Sequence, residues 1–179
     1  MRRLLLLTFL MCLIGSPGCK STDGKDMLEP VWESLEIPEE FRPLERVRAR
    51  GNLASKTTLT TVGRTVYVYS LDRFRERFPF MGPRYRAVMR HEQEHARRQL
   101  DRGVVVWTAK YLVDRDFMWE EEQIGWYYEI QERRRLGVGV SPEQIGETLS
   151  NYSNISGRMV SAAEATAWVR EVLVGRWTP

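Results

Sequence analysis

Apolar side chains recur at helical spacing through Tyr85, Val88, Met89, Ala96 and Leu100, which predicts a helix with one buried face. Pro83 suits its first turn and Gly103 its end, so the helix is expected to run to Asp101 or Arg102. Upstream, residues 57–69 are rich in Thr, Val and Tyr and turn at Val62-Gly63-Arg64. This predicts a β-hairpin whose second strand, residues 65–69, is the stronger. Ser70-Leu71-Asp72 caps a short helix that stops before Pro79. Downstream, residues 104–112 form a third helical stretch and residues 116–136 a fourth, ending at Gly137. Ser141-Pro142-Glu143-Gln144 and Ser161-Ala162-Ala163-Glu164 read as capping boxes, each opening a further helix. Residues 28–45, broken by Pro30, Pro38 and Pro43, predict an irregular or lightly helical lead-in. The expected fold class is α+β and mainly helical, with a small hairpin or sheet ahead of the long helix.

The N-terminus follows a different pattern. Met1-Arg2-Arg3 precedes an apolar run from Leu4 to Ile14, and small residues follow it. That is the build of a secretory signal over residues 1–18. As a helix the run spans about 16 Å, too short for a hydrocarbon core of about 30 Å. Gly18-Cys19 resembles the end of a bacterial lipoprotein box, although Ser16 and Pro17 stand where that box usually has leucine and a small residue. The resemblance implies lipidation of Cys19 and a membrane partner reached through a lipid anchor. Without lipidation the product would be secreted. Lys20 stands where inner-membrane retention usually needs Asp, which by the same resemblance favours the outer membrane. Residues 19–30 are then a tether, polar over Lys20 to Lys25, and residues 31–179 one domain.

Charge and cysteine content narrow the function classes. Arg2 and Arg3 belong to the signal; without them 25 basic side chains face 24 acidic ones, a net charge of +1. A chain so balanced has no global field to draw it onto nucleic acid, and no nucleic-acid partner is expected. Both cysteines, Cys12 and Cys19, lie in the first nineteen residues, so residues 20–179 have no disulfide, no thiolate ligand and no cysteine nucleophile. Residues 73–102 hold nine arginines against four acids, read as a solvated face that balances the acidic fourth helix.

The chain has two histidines, His91 and His95, with Glu92 directly after the first. A spacing of four on a helix puts both imidazoles on one side, within reach of one tetrahedral metal ion. Glu92, about 100° round the helix, can touch a water held there without being a ligand. A hydrolytic site of this kind needs a third protein ligand and an open position. No third histidine exists, so the ligand must be a carboxylate. Glu120, Glu121 and Glu122 lie in a run with Phe117, Trp119, Ile124, Trp126 and Tyr127, whose burial should turn one of the three inward. Asp114 and Asp116 come next.

His91-Glu92-Gln93-Glu94-His95, with a glutamate on a later helix, resembles the gluzincin class of zinc metallopeptidases. The resemblance covers residues 57–136. Its second helix often carries Glu-x-x-Ala followed by an aromatic or acidic residue; Glu122-Gln123-Ile124-Gly125-Trp126 fits best, with Gly125 as the small residue, and Glu120 is the runner-up. It implies a zincin-like minimal core, Zn²⁺ on His91, His95 and Glu122, and Glu92 as general base. The implied substrate is a peptide or a cell-wall peptide. Tyr128, Tyr152 and Tyr111 are candidates to stabilise the oxyanion. The strand at residues 65–69 is placed to hold an extended peptide by main-chain pairing. The competing expectation is a non-catalytic envelope lipoprotein with a structural or degenerate metal site.

Overall fold

In the computed structural model, residues 34–50 and 59–179 are described; the expected signal, the tether and Cys19 lie outside them, as do Thr57 and Thr58 of the hairpin. Alternation in Arg46-Val47-Arg48-Ala49 builds a strand with Val47 buried, and Thr65–Val68 repeats the pattern with Val66 and Val68 buried. These are β2 (Arg46–Ala49) and β4 (Thr65–Val68). With β1 (Ser34–Glu36) and β3 (Thr60–Val62) they form a four-stranded sheet in the order β1-β2-β4-β3. β2 and β4 run parallel, with Val47 opposite Val66, and the outer pairings are antiparallel. Gly63 turns the β3–β4 hairpin at φ +57°, a conformation that favours glycine.

The lead-in is more ordered than its prolines suggest. From Ser34 on it contains β1 and a 3₁₀ turn at Glu39–Phe41, and it ends where β2 begins; Phe41 and Leu44 are fully packed. The strand at β1 is three residues long, too short for period-two alternation to show in sequence.

Six helices complete the described residues: α1 (Leu71–Arg77), α2 (Pro83–Arg102), α3 (Val104–Val113), α4 (Arg115–Arg135), α5 (Pro142–Ser150) and α6 (Ala162–Leu173). The architecture is α+β and mainly helical, as expected. None of these helices is long and apolar enough to cross a membrane. The termini follow local chemistry. Ser70 caps α1, Pro83 opens α2, Asp114 Oδ1 accepts from Phe117 N at the start of α4, and Ser161 with Glu164 forms a complete capping box on α6. At α5 only half of the expected box forms: Ser141 Oγ accepts from Gln144 N. A two-stranded hairpin, β5 (Ser153–Asn154) with β6 (Gly157–Arg158), follows α5 and has no strong sequence signal.

Two apolar clusters flank the long helices. One joins Phe41, Leu44, Val47, Val66 and Phe74 to Tyr85, Val88 and Met89 of α2. The other joins Met118, Trp126 and Ile130 of α4 to Leu149 of α5 and Val169 of α6. α2 and α4 therefore each bury one face in a core and turn other residues towards each other. Arg98 and Arg102 of α2 hold Glu121 of α4, and Arg86 reaches Glu132 at 3.5 Å, so the arginine-rich face does balance the acidic helix.

Candidate metal centre

The seam between α2 and α4 brings together the three side chains that matter most. His91 Nε2 and His95 Nε2 lie 2.9 Å apart. The Glu122 carboxylate faces both, with Oε2 3.5 Å from His91 Nε2 and Oε1 3.5 Å from His95 Nε2. Bonds of 2.0–2.1 Å in a tetrahedron give ligand–ligand edges of about 3.3 Å. One ligand atom from each of the three residues lies within 4.8 Å of the other two, so with a small adjustment this buried group could hold a metal ion.

The chemistry of the donor set agrees. Glu122 Oε2 is buried and makes no hydrogen bond among the described residues. At 3.5 Å from an imidazole nitrogen it sits at ion-pair rather than hydrogen-bond distance. Three buried carboxylates surround His91: Glu92, Glu122 and Glu129. Burial opposes a charged imidazole, but Glu122 and Glu129 outweigh it and push the His91 pKa up to about 10. Burial likewise raises the Glu122 pKa, but His91 and His95 hold it below the ordinary carboxylate range. The pocket stabilises positive charge at its centre, which a divalent cation supplies more fully than a proton.

Gly125 explains how the helices come so close. A Cβ built there would lie 2.7 Å from both Cδ2 and Nε2 of His91. The imidazole thus packs directly on the α4 backbone. The small residue that the resemblance places three after Glu122 makes room for the ring.

Glu129, seven residues after Glu122 and on the same face of α4, was not singled out by the sequence reading. Its Oε2 is 3.1 Å from His91 Nδ1, and its other oxygen accepts from Arg133. Accepting the Nδ1 proton fixes the tautomer that leaves the Nε2 lone pair facing Glu122. The repeat Glu122, Gly125, Glu129 was the signal available. Glu129→Gln should weaken metal binding about tenfold while leaving the helices in place, as outer partners of ligating histidines generally do. Competition with a chromogenic chelator measures this, and unchanged affinity would show that Glu129 only pairs with Arg133.

Glu92 is also drawn in. It is buried, and its Oε2 accepts from Thr61 Oγ1 of β3 at 2.6 Å. Gln99 fastens the same strand to α2: its Nε2 donates to Thr61 O at 2.9 Å and its Oε1 accepts from Gly63 N at 2.8 Å.

The other expected residues divide. Tyr111 Oη donates to Glu122 Oε1, and its ring stands edge-on to His95 at 6.5 Å. Tyr152 senses the same centre: burial first, then the charges of Glu122, Glu92 and Glu129, raise its pKa well above the usual value. Tyr128 does not join them. It lies about 120° round α4 from Glu122, 36% exposed, with its ring edge-on to Tyr127. Glu120 also points away; its side chain is 60% exposed and reaches Arg98 at 3.7 Å. Glu121 is fully buried, but between Arg98 and Arg102. The expected peptide-pairing role of residues 65–69 is corrected too: β4 is paired on both sides, to β2 and β3, and has no free edge. Thr61 O of β3 and Gly63 N of the turn after it are already taken by Gln99. Comparison with family models, curated proteins and solved structures finds no match.

Proposed function

We propose that the chain is a zinc-dependent hydrolase of the gluzincin kind, cleaving an amide bond in a peptide or cell-wall peptide. It acts from the cell envelope through a lipid on Cys19. The observation that carries this reading is the buried meeting of His91, His95 and Glu122, with the non-ligand carboxylate of Glu92 beside it. Two imidazoles and one carboxylate are a donor set that suits zinc and leaves a position open. Zinc in that set would supply Lewis acidity and a water of lowered pKa.

The chain's own residues do the rest. Glu92, adjacent to His91 and steadied by Thr61, accepts the water proton and passes it to the leaving amine. Glu129 keeps His91 in its ligating tautomer. The phenols of Tyr111, which donates to Glu122, and of Tyr152, which feels the charges of Glu122 and Glu92, are the candidates to meet a developing oxyanion.

Purified protein should contain about one zinc per chain, and His91→Ala should bring that close to zero. Elemental analysis checks it, and a metal-free wild type under metal-replete conditions sinks the proposal. One observation favours a second reading, a structural site. His91 is only 5% exposed, Glu92 and His95 6%, and Glu122 3%. Under that reading chelation lowers stability and no hydrolysis accompanies the metal.

A further inference from the structure

The burial of the centre has a local cause. We infer that α3 is a movable cover that shuts the site, latched by Tyr111, and that the site becomes reachable when its N-terminal end lifts. The inference rests on the metal centre being a working site and concerns its regulation.

α3 meets the centre through two side chains. Trp107 stands edge-on to His95 at 5.8 Å, and Tyr111 stacks on Trp107 at 4.7 Å while donating to Glu122 Oε1. That donation occupies a carboxylate oxygen which faces His95. In this closed form α3 therefore screens His95 and engages the third member of the donor set.

The rest of α3 is loosely held. Trp107 is the one buried residue of its ten, whereas α2 buries eleven of twenty and α4 ten of twenty-one. Val105, Val106 and Val113 are 50%, 67% and 55% exposed, so these three side chains do little to hold it down. Its two ends also differ. The C-terminal carbonyls of Tyr111, Leu112 and Val113 accept from Asn154, Ile155 and Ser156 of the β5–β6 hairpin. The N-terminal end hangs on Gly103, exposed at φ +83°, where an added Cβ would meet nothing within 4 Å. An uncrowded glycine between two helices can absorb a large change in backbone angle. With that end pinned, bending at Gly103 lifts the N-terminal half and carries Trp107 off His95, and Tyr111, stacked on Trp107 and donating to Glu122, is the latch that holds this half down.

The chain has only two histidines, and one of them, His95, packs against Trp107 and Tyr111 of this cover, so modification of His95 reads the cover directly. In metal-free protein, carbethoxylation by diethyl pyrocarbonate should be much slower than in the denatured chain. Tyr111→Phe should speed it about 10–100-fold, the range expected for losing a hydrogen bond to a charged acceptor. Val106→Ser, on the outer face, should leave the rate unchanged. A native rate equal to the denatured one, an unchanged Tyr111→Phe, or an equal acceleration in Val106→Ser each overturns the inference. Should Tyr111→Phe fail to fold, hydrogen exchange on the unaltered protein decides: α3 amides must exchange ahead of those in α2 and α4, and coincident exchange overturns it. Neither readout needs metal, so the cover and the hydrolase reading can fail separately.

Discussion

On the proposed hydrolase reading, Glu92→Gln should leave the protein holding its metal ion but lower turnover by about 10²–10⁴-fold, the share that a positioned general base supplies. Glu92 lies outside the triangle of His91, His95 and Glu122, so the donor set is untouched. Glutamine keeps the side-chain length and still accepts from Thr61 Oγ1, so the contact with β3 survives. What is lost is the capacity to take a proton. The measurement is kcat on a peptide substrate beside zinc content in the same preparation. If zinc falls with activity, Glu92 is a ligand and the division of roles is wrong. If activity stands, another group is the base. A structural site gives a third pattern: no turnover in either protein, and a stability that rises in Glu92→Gln, because a buried carboxylate costs more to desolvate than an amide.

How much of this was legible in sequence depends on whether the signal is local. The ends of α2 were readable from Pro83 and Gly103, each acting through its own backbone. His91 and His95 were readable as partners because four residues of helix fix their relation. Among Glu120, Glu121 and Glu122, adjacency in sequence meant three directions in space, and only the packing of α4 shows which one meets the histidines. Gly125 pointed to Glu122 by resemblance, and the physical reason is the imidazole lying on its backbone. Glu129 escaped because its meaning depends on His91, thirty-eight residues away in sequence. Tyr128 and Tyr111 show the same limit from the other side: hydroxyl chemistry is visible in a sequence, but the element that carries it to the site is not. The strand β1 in the Pro-bearing lead-in and β2 in the Arg-bearing stretch after it went unseen, because the pairing of β1 with β2 and of β2 with β4 is non-local.

Gly125→Ala is the substitution in which two effects oppose, and their sizes decide the result. In the middle of α4, alanine in place of glycine favours the helix by about 0.8–1 kcal/mol. Against this, the new methyl would sit 2.7 Å from two atoms of the His91 ring, closer than real Cβ contacts come. The ring cannot simply rotate away, because Glu129 holds Nδ1 and Nε2 must face Glu122. Nor can α2 retreat without disturbing the pairing of Arg98 with Glu121. Overpacking of this kind costs about 1–3 kcal/mol, so the clash wins. Net of the helix gain, the folded state loses up to about 2 kcal/mol, equivalent to a fall in Tm of up to roughly 8 °C for a domain of this size. Metal affinity falls more steeply than stability, because the cheapest relief is to tilt His91 out of the triangle. Calorimetry and zinc titration on one sample separate the two effects. A raised Tm with zinc retained would mean that helix propensity prevails and that α2 and α4 are not in backbone-to-ring contact at Gly125.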